Sequence, residues 1–145
     1  MAAKEENFKI RTTIPNDSSL LKEVSKKLIA RLEERHIDDN IIFDIHVGVE
    51  EAIRNAMVHG NQSDPDKKVT IIAEIADNKV MITVEDEGNG FNPDNLPDPT
   101  LDENLLKEGG RGVYLIKHLM DEVRYENGGR RIIMIKCLKK NIHNG

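Results

Sequence analysis

The sequence predicts a single α+β domain, a two-layer sandwich in which a mostly antiparallel mixed sheet carries helices on one face. Three observations predict it. Alternating and helically spaced apolar runs follow one another in the order strand, helix, helix, strand, strand, helix, strand, strand. Two strand pairs are separated only by turn-forming residues, Asp77-Asn78 and Asn127-Gly128-Gly129, so sequential strands run antiparallel and parallel crossovers are few. The 145 residues, 38% hydrophobic and 32% charged, suit one core, so we read 1–145 as one domain with its core at about 8–140.

The elements follow in order. Phe8, Ile10 and Ile14 alternate with Lys9, Arg11 and Thr13 as in a strand with one buried face, and Pro15 ends the run. Asp17, Ser18 and Ser19 supply cap acceptors for a helix opening at about Leu20, with Leu21, Val24, Leu28 and Leu32 on one face, and stopping near His36. Asp38, Asp39 and Asn40 offer a second cap, and Ile41, Ile42, Ile45, Val49, Ala52, Ile53 and Ala56 keep helical spacing until Gly60. Val69, Ile71, Ala73 and Ile75, then Val80, Ile82 and Val84, form a hairpin about Asp77-Asn78. From Gly88 to Gly110 periodicity is lost and Pro93, Pro97 and Pro99 appear; so long a connection in a small domain reads as a functional lid over about 88–110. Helical spacing resumes from Gly112 to Met120, and Val123 to Glu126 with Arg131 to Leu138 make a last hairpin. The final residues, Asn141 to Gly145, read as frayed.

Composition excludes several function classes. Lysine and arginine total 21 against 26 acidic residues, and the net charge of −5 gives no general attraction to nucleic acid or an anionic membrane. No apolar run approaches the ~20 residues of a membrane span. Met1 to Glu6 lacks a secretory pattern and the one cysteine, Cys137, has no internal partner, so the expected compartment is the cytoplasm. No glycine cluster is followed by the lysine of a phosphate-binding Walker loop, and Pro93 stands where a dinucleotide fingerprint needs its third glycine. The five histidines show no zinc spacing.

Three segments carry polar chemistry. On a helix advancing ~100° per residue, Glu51, Asn55 and His59 fall in line at the margin of the apolar face, with Asp44 and Gly48 on the same arc. Such a line fits either an ordinary solvated edge or a set projecting into a cleft. Asp86 follows Val80, Ile82 and Val84 by strict alternation and so points inward, where a carboxylate needs a partner. Asp86-Glu87-Gly88-Asn89-Gly90 fits a simple turn; it equally fits an adenine pocket, the carboxylate accepting from the exocyclic amine while the glycines admit the ring. Gly109-Gly110-Arg111-Gly112 precedes a helix, so it serves either as a hinge and cap or as a phosphate site of free amides, with Arg111 beside it.

Together, Glu51-Ala52-x-x-Asn55-Ala56-x-x-His59-Gly60, Asp86-x-Gly88-x-Gly90-Phe91 and Gly109-Gly110-Arg111-Gly112-Val113-Tyr114-Leu115-Ile116 resemble the boxes of the histidine-kinase-like ATPase superfamily, the Bergerat ATP-binding fold. Within it, the short chain and the run from Gly110 to Val123 look most like the bacterial anti-sigma factor serine/threonine kinases. The resemblance spans about residues 8 to 140. It implies ATP and Mg²⁺ as cofactors, with Asn55 holding the metal ion and Glu51 deprotonating the attacking hydroxyl. It also implies that Asp86 binds adenine in a pocket shaped by Gly88 and Gly90, that His59 borders the nucleotide, and that Gly110, Arg111 and Gly112 hold the phosphates. The chain departs from the common pattern at Arg130, where many members carry threonine.

The function implied is phosphorylation of a serine on an anti-anti-sigma (STAS) protein by a kinase that also sequesters a sigma factor, and the likeness further implies a homodimer joined through the first strand and first helix. The alternative is a non-catalytic ATP-binding module that sequesters a sigma factor or another regulator. A two-component histidine kinase needs a phosphohistidine helical region for which too little chain precedes Glu51. ATPases of the gyrase or mismatch-repair type need further domains.

Overall fold

The computed structural model describes residues 7–88 and 108–138, with side chains from 112 onward in the second stretch. Strand β1 (Phe8–Pro15) leads through Asn16 to helix α1 (Ser18–Glu34), whose start is set by Asp17: its carboxylate accepts from the Ser19 amide at 2.9 Å. The helix therefore opens before Leu20, and it ends before His36, which takes the left-handed backbone at φ 55°. Asp38 caps helix α2 (Asp39–Asn55) in the same way, accepting from the Asn40 amide at 2.8 Å.

Helix α2 does not run regularly to Gly60 as its periodicity suggests. From Ala56 to Gly60 the chain winds as a π-turn, and the Asn61 amide donates to the Ala56 carbonyl at 2.8 Å. The hydrophobic pattern could not signal this, because Ala56, Met57 and Gly60 are buried with the wider winding too.

Strands β2 (Lys68–Ala76) and β3 (Lys79–Asp86) form the expected hairpin, with Asp77 and Asn78 both at positive φ (52° and 61°), as a tight two-residue turn requires. Helix α3 (Glu108–Leu119) starts at Glu108 rather than Gly112, so Gly109 to Gly112 lie in its opening turns and not ahead of it. Its apolar periodicity begins only at Val113, which is why the sequence pattern places the start late. Of the expected lid, Gly88 is described at one end and 108–110 belong to α3; the rest, Gly90 included, lies outside the described residues. Strands β4 (Glu122–Glu126) and β5 (Arg131–Cys137) flank a short turn at Asn127–Gly129.

The five strands lie in the order β1-β2-β3-β5-β4 and every neighbouring pair is antiparallel, so among the described strands the sheet has no parallel pair and is not mixed. One sheet face presents Val69, Ile71, Ala73, Ile75, Val80, Ile82, Val84 and Met134, all buried, to Leu28 and Leu32 of α1, Ile45, Val49 and Ile53 of α2, and Ile116 of α3. Burial of side chains such as Ile45 and Ile53 contributes ~1.5–3 kcal/mol each. Gly48 of α2 faces Met120, the residue after α3, and a Cβ there would displace the methyl end of that flexible side chain. Lys136 of β5 locks the same corner, donating to Asp44 Oδ2 at 3.1 Å and to the Leu119 carbonyl at the end of α3 at 2.6 Å. Among the described residues no helix is long and apolar enough to cross a membrane.

Candidate functional site

The helical line at the margin of α2 opens onto a cleft of about 500 Å³ between α2 and α3, lined by Glu51, Arg54, Asn55, Val58, His59, Gly112, Tyr114 and Leu115. Four residues singled out from sequence, Glu51, Asn55, His59 and Gly112, are thus brought together. His59 stays on the cleft although the π-turn changes the winding after Asn55. Glu51 is held through Oε1, which accepts from Arg54 Nη1 at 2.5 Å. Its other oxygen faces α3: a Cβ built on Gly112 would lie 2.9 Å from Glu51 Oε2 and 3.0 Å from Asn55 Nδ2. Glycine at this position therefore lets the two helices approach while keeping the carboxylate and amide uncovered.

Asn55 is only 6% exposed, and its Nδ2 has no hydrogen-bond partner among the described residues. A buried orphan amide costs ~1–3 kcal/mol. The cost is offset when a ligand supplies the partner, and the side-chain oxygen of the same amide is a hard donor of the kind Mg²⁺ accepts. The residues present fit that ion.

Asp86 ends β3 on the inner face, 5% exposed, as alternation requires. Burial holds its carboxyl above the usual carboxylate range, opposed by the Gly88 amide, which donates to Asp86 Oδ1 at 2.9 Å, and by the charge of Arg130. Two glycines make room around it: a Cβ at Gly60 would collide with the Asp86 carboxylate, and one at Gly88 would collide with the Gly60 carbonyl. Asp86 opens onto a second recess bounded by Ala52, Asn55, Ala56, Ile116, Tyr125 and Arg130, so Asn55 lines both spaces. The recess measures about 10 Å³. As it stands, this recess is too small for a purine. Burial pushes the Tyr125 phenol up to about 12, so it is neutral at physiological pH.

The remaining expected residues divide. Gly88 packs beside Asp86. Gly110 lies in the first turn of α3, where helix amides have no intrahelical acceptor, while Gly112 lies further in and serves by its missing side chain. The Arg111 backbone is helical, but its side chain and all of Gly90 lie outside the described residues. Sequence reasoning missed Arg54, Asn61 and Tyr125, and it placed Gly60 in the first box without its contact with Asp86. Only Arg54 left a signal, as an acid-base pair three residues from Glu51. The others act through contacts between distant segments.

Among the described residues, an open antiparallel sheet with three helices, a polar cleft between two of them and a buried aspartate at the end of the central strand define a two-layer α+β sandwich with a candidate ligand site. The chain belongs to the histidine kinase-like ATPase domain family, which it matches over residues 14–136. It is 36% identical over 106 residues to the serine-protein kinase RsbW of Bacillus subtilis (strain 168), an alignment covering 67% of this chain and 65% of that kinase. With the RsbW kinases of Staphylococcus epidermidis and Staphylococcus aureus (strain Newman) it shares 36% identity over 107 residues, 68% of this chain and 67% of theirs. Its fold is also that of part of a crystal structure of the RsbU and RsbW domains of Rv1364c from Mycobacterium tuberculosis, with a TM-score of 0.60, 20% identity, and coverage of 88% of this chain and 31% of that one.

Proposed function

We propose that this chain is an ATP-dependent protein serine kinase that works as an anti-sigma regulatory factor, phosphorylating a serine on a STAS-domain anti-anti-sigma protein. The observation that carries the reading is the pairing of Glu51 and Asn55 across from Gly112, with Asn55 also bordering the recess of Asp86. A general base and a polar amide then stand one helical turn apart at the phosphate end, and a buried carboxylate able to accept from an adenine amine lies at the other. The relatives named serine-protein kinases support the same chemistry.

In this reading Asp86 accepts from the exocyclic amine of adenine, which selects against guanine, whose six-position is an acceptor. The free amides in the first turn of α3, Gly110 among them, and Arg111 meet the phosphates, and His59 borders them from α2. Asn55 would hold Mg²⁺, which neutralises phosphate charge when bound. Arg54 holds one Glu51 oxygen, and the other accepts the proton of the incoming serine hydroxyl. The serine Oγ–phosphorus bond forms as the bond from the γ-phosphorus to the bridging oxygen breaks, ADP leaves, and the proton resides on Glu51. The protein's part is alignment and charge placement. Within the same proposal the chain acts in the cytoplasm as a homodimer and binds a sigma factor.

The Arg54–Glu51 ion pair favours one other reading, in which the glutamate is tied up and the chain is a non-catalytic ATP-binding module that sequesters a regulator. Incubation with Mg-ATP and a cognate STAS protein decides. Phosphoserine on the acceptor that disappears in Glu51→Ala supports the kinase; nucleotide binding with no phosphoserine overturns it in favour of the module.

A further inference from the structure

Asn61, just past the π-turn, is 1% exposed and uses every polar atom it has. Its amide donates to the Ala56 carbonyl at 2.8 Å, and its own carbonyl accepts from the Asp64 amide at 3.0 Å. Its side-chain Nδ2 donates to Asn16 Oδ1 and to the Lys68 carbonyl, both at 3.0 Å, and Oδ1 accepts from the Glu87 amide at 2.8 Å. A backbone carbonyl on one side and a backbone amide on the other fix which way the side chain points. One asparagine thus ties together the β1–α1 connection, the π-turn, the start of β2 and the residue that follows Asp86.

The knot sits where Asp86 is placed. Gly60, which precedes Asn61, faces the Asp86 carboxylate, and the Gly60 carbonyl faces Gly88, whose amide in turn donates to Asp86 Oδ1 at 2.9 Å. The tolerance is narrow, since a single methyl group at either glycine would collide. Beyond Asn61, Gln62 and Ser63 sit in the left-handed region at φ 53° and 57°, a conformation that persists only where surrounding bonds overdetermine it. The second side chain of the knot, Asn16, supplies such bonds, donating to the Asp64 carbonyl at 2.8 Å and the Met57 carbonyl at 3.4 Å.

We infer that Asn61, braced by Asn16, is a positioning residue that sets the Asp86 carboxylate for adenine recognition. The inference rests on the proposed reading of Asp86. Asn61 acts through Glu87 and Gly60, the neighbours of the two ends of the Asp86 contact, so its loss lets the π-turn and the end of β3 separate. A carboxylate that drifts loses its alignment with an exocyclic amine before it loses general affinity for the phosphates.

Calorimetric titration with ADP and with inosine diphosphate, which carries oxygen in place of the amine, tests this. The wild-type chain is expected to prefer ADP. Asn61→Ala is expected to weaken ADP by about tenfold and to shrink that preference, at a temperature where circular dichroism shows the variant folded. Asn16→Ala, which leaves the Lys68 and Glu87 bonds of Asn61 in place, shows a smaller change in the same direction and decides the matter if Asn61→Ala fails to fold. In an Asp86→Asn background, Asn61→Ala leaves the preference unchanged, because the two substitutions act through one group. Equal losses for both nucleotides, with the preference intact, would show a merely structural role and overturn the inference, as would wild-type binding in both variants. A wild-type chain that binds ADP and inosine diphosphate alike would instead overturn the reading of Asp86 and the inference with it.

Discussion

Gly60 and Asp86 meet so closely that the glycine hydrogen is all the space between them allows: a Cβ on Gly60 would occupy the position of the carboxylate. The contact joins the end of the α2 segment to the end of β3, and it makes the aspartate's placement depend on a residue 26 positions earlier in the chain. Gly60→Ala must therefore displace either the π-turn or the carboxylate. We expect a loss of about 1–3 kcal/mol in urea unfolding, together with loss of the melting shift expected for the wild-type chain with Mg-ADP.

Asp86 has a cost that shows in pH. Its carboxyl sits above the usual range because burial disfavours the charge. A raised folded-state pKa means the contribution to stability is fully present below the unfolded value of about 3.9 and is lost as pH rises through the folded value. Asp86→Asn removes that dependence, so the nucleotide-free variant is expected to melt at or above the wild-type temperature at pH 7. Nucleotide at about 100 times its dissociation constant stabilises a folded protein by ~2.7 kcal/mol, and the same variant should lose most of that. Equal melting shifts in both proteins would remove Asp86 as the adenine contact.

Glu51→Ala separates binding from transfer. The side chain lines the roomy cleft and is held by Arg54, away from the Asp86 recess. The variant is expected to keep the melting shift with Mg-ATP and to lose transfer to a STAS acceptor by about 10²–10⁴-fold, the usual worth of a general base. Label carried from γ-labelled ATP into the acceptor protein reads the second quantity directly.

Lys136 supplies a test of the scaffold. It is largely buried and donates to both Asp44 and the last turn of α3. Lys136→Met keeps the volume and strands a carboxylate and a carbonyl, so we expect a loss of about 1–3 kcal/mol in denaturant unfolding. Because β5 places this residue at the far end of α3 from Gly112, nucleotide affinity at a temperature where the variant is folded should stay near that of the wild type.

The sequence by itself determined the elements and their buried faces. Val80, Ile82 and Val84 put Asp86 on the inner side of β3 because a strand has a period of two, and Glu51 and Asn55 fall one above the other because a helix advances by less than four residues per turn. Asp17 and Asp38 announced the two helix starts, and Asp77-Asn78 the hairpin, since each acts on backbone groups within a few residues. Tertiary structure decided what local rules cannot reach. The π-turn at Ala56–Gly60 keeps the same residues buried as a regular helix, so no periodicity betrays it. The early start of α3 carries no apolar side chain in its first turn. The roles of Gly60, Asn61 and Gly112 exist only because segments far apart in the chain press against one another: a missing side chain or a fully bonded amide acquires meaning from what lies opposite, and only the packed fold specifies that.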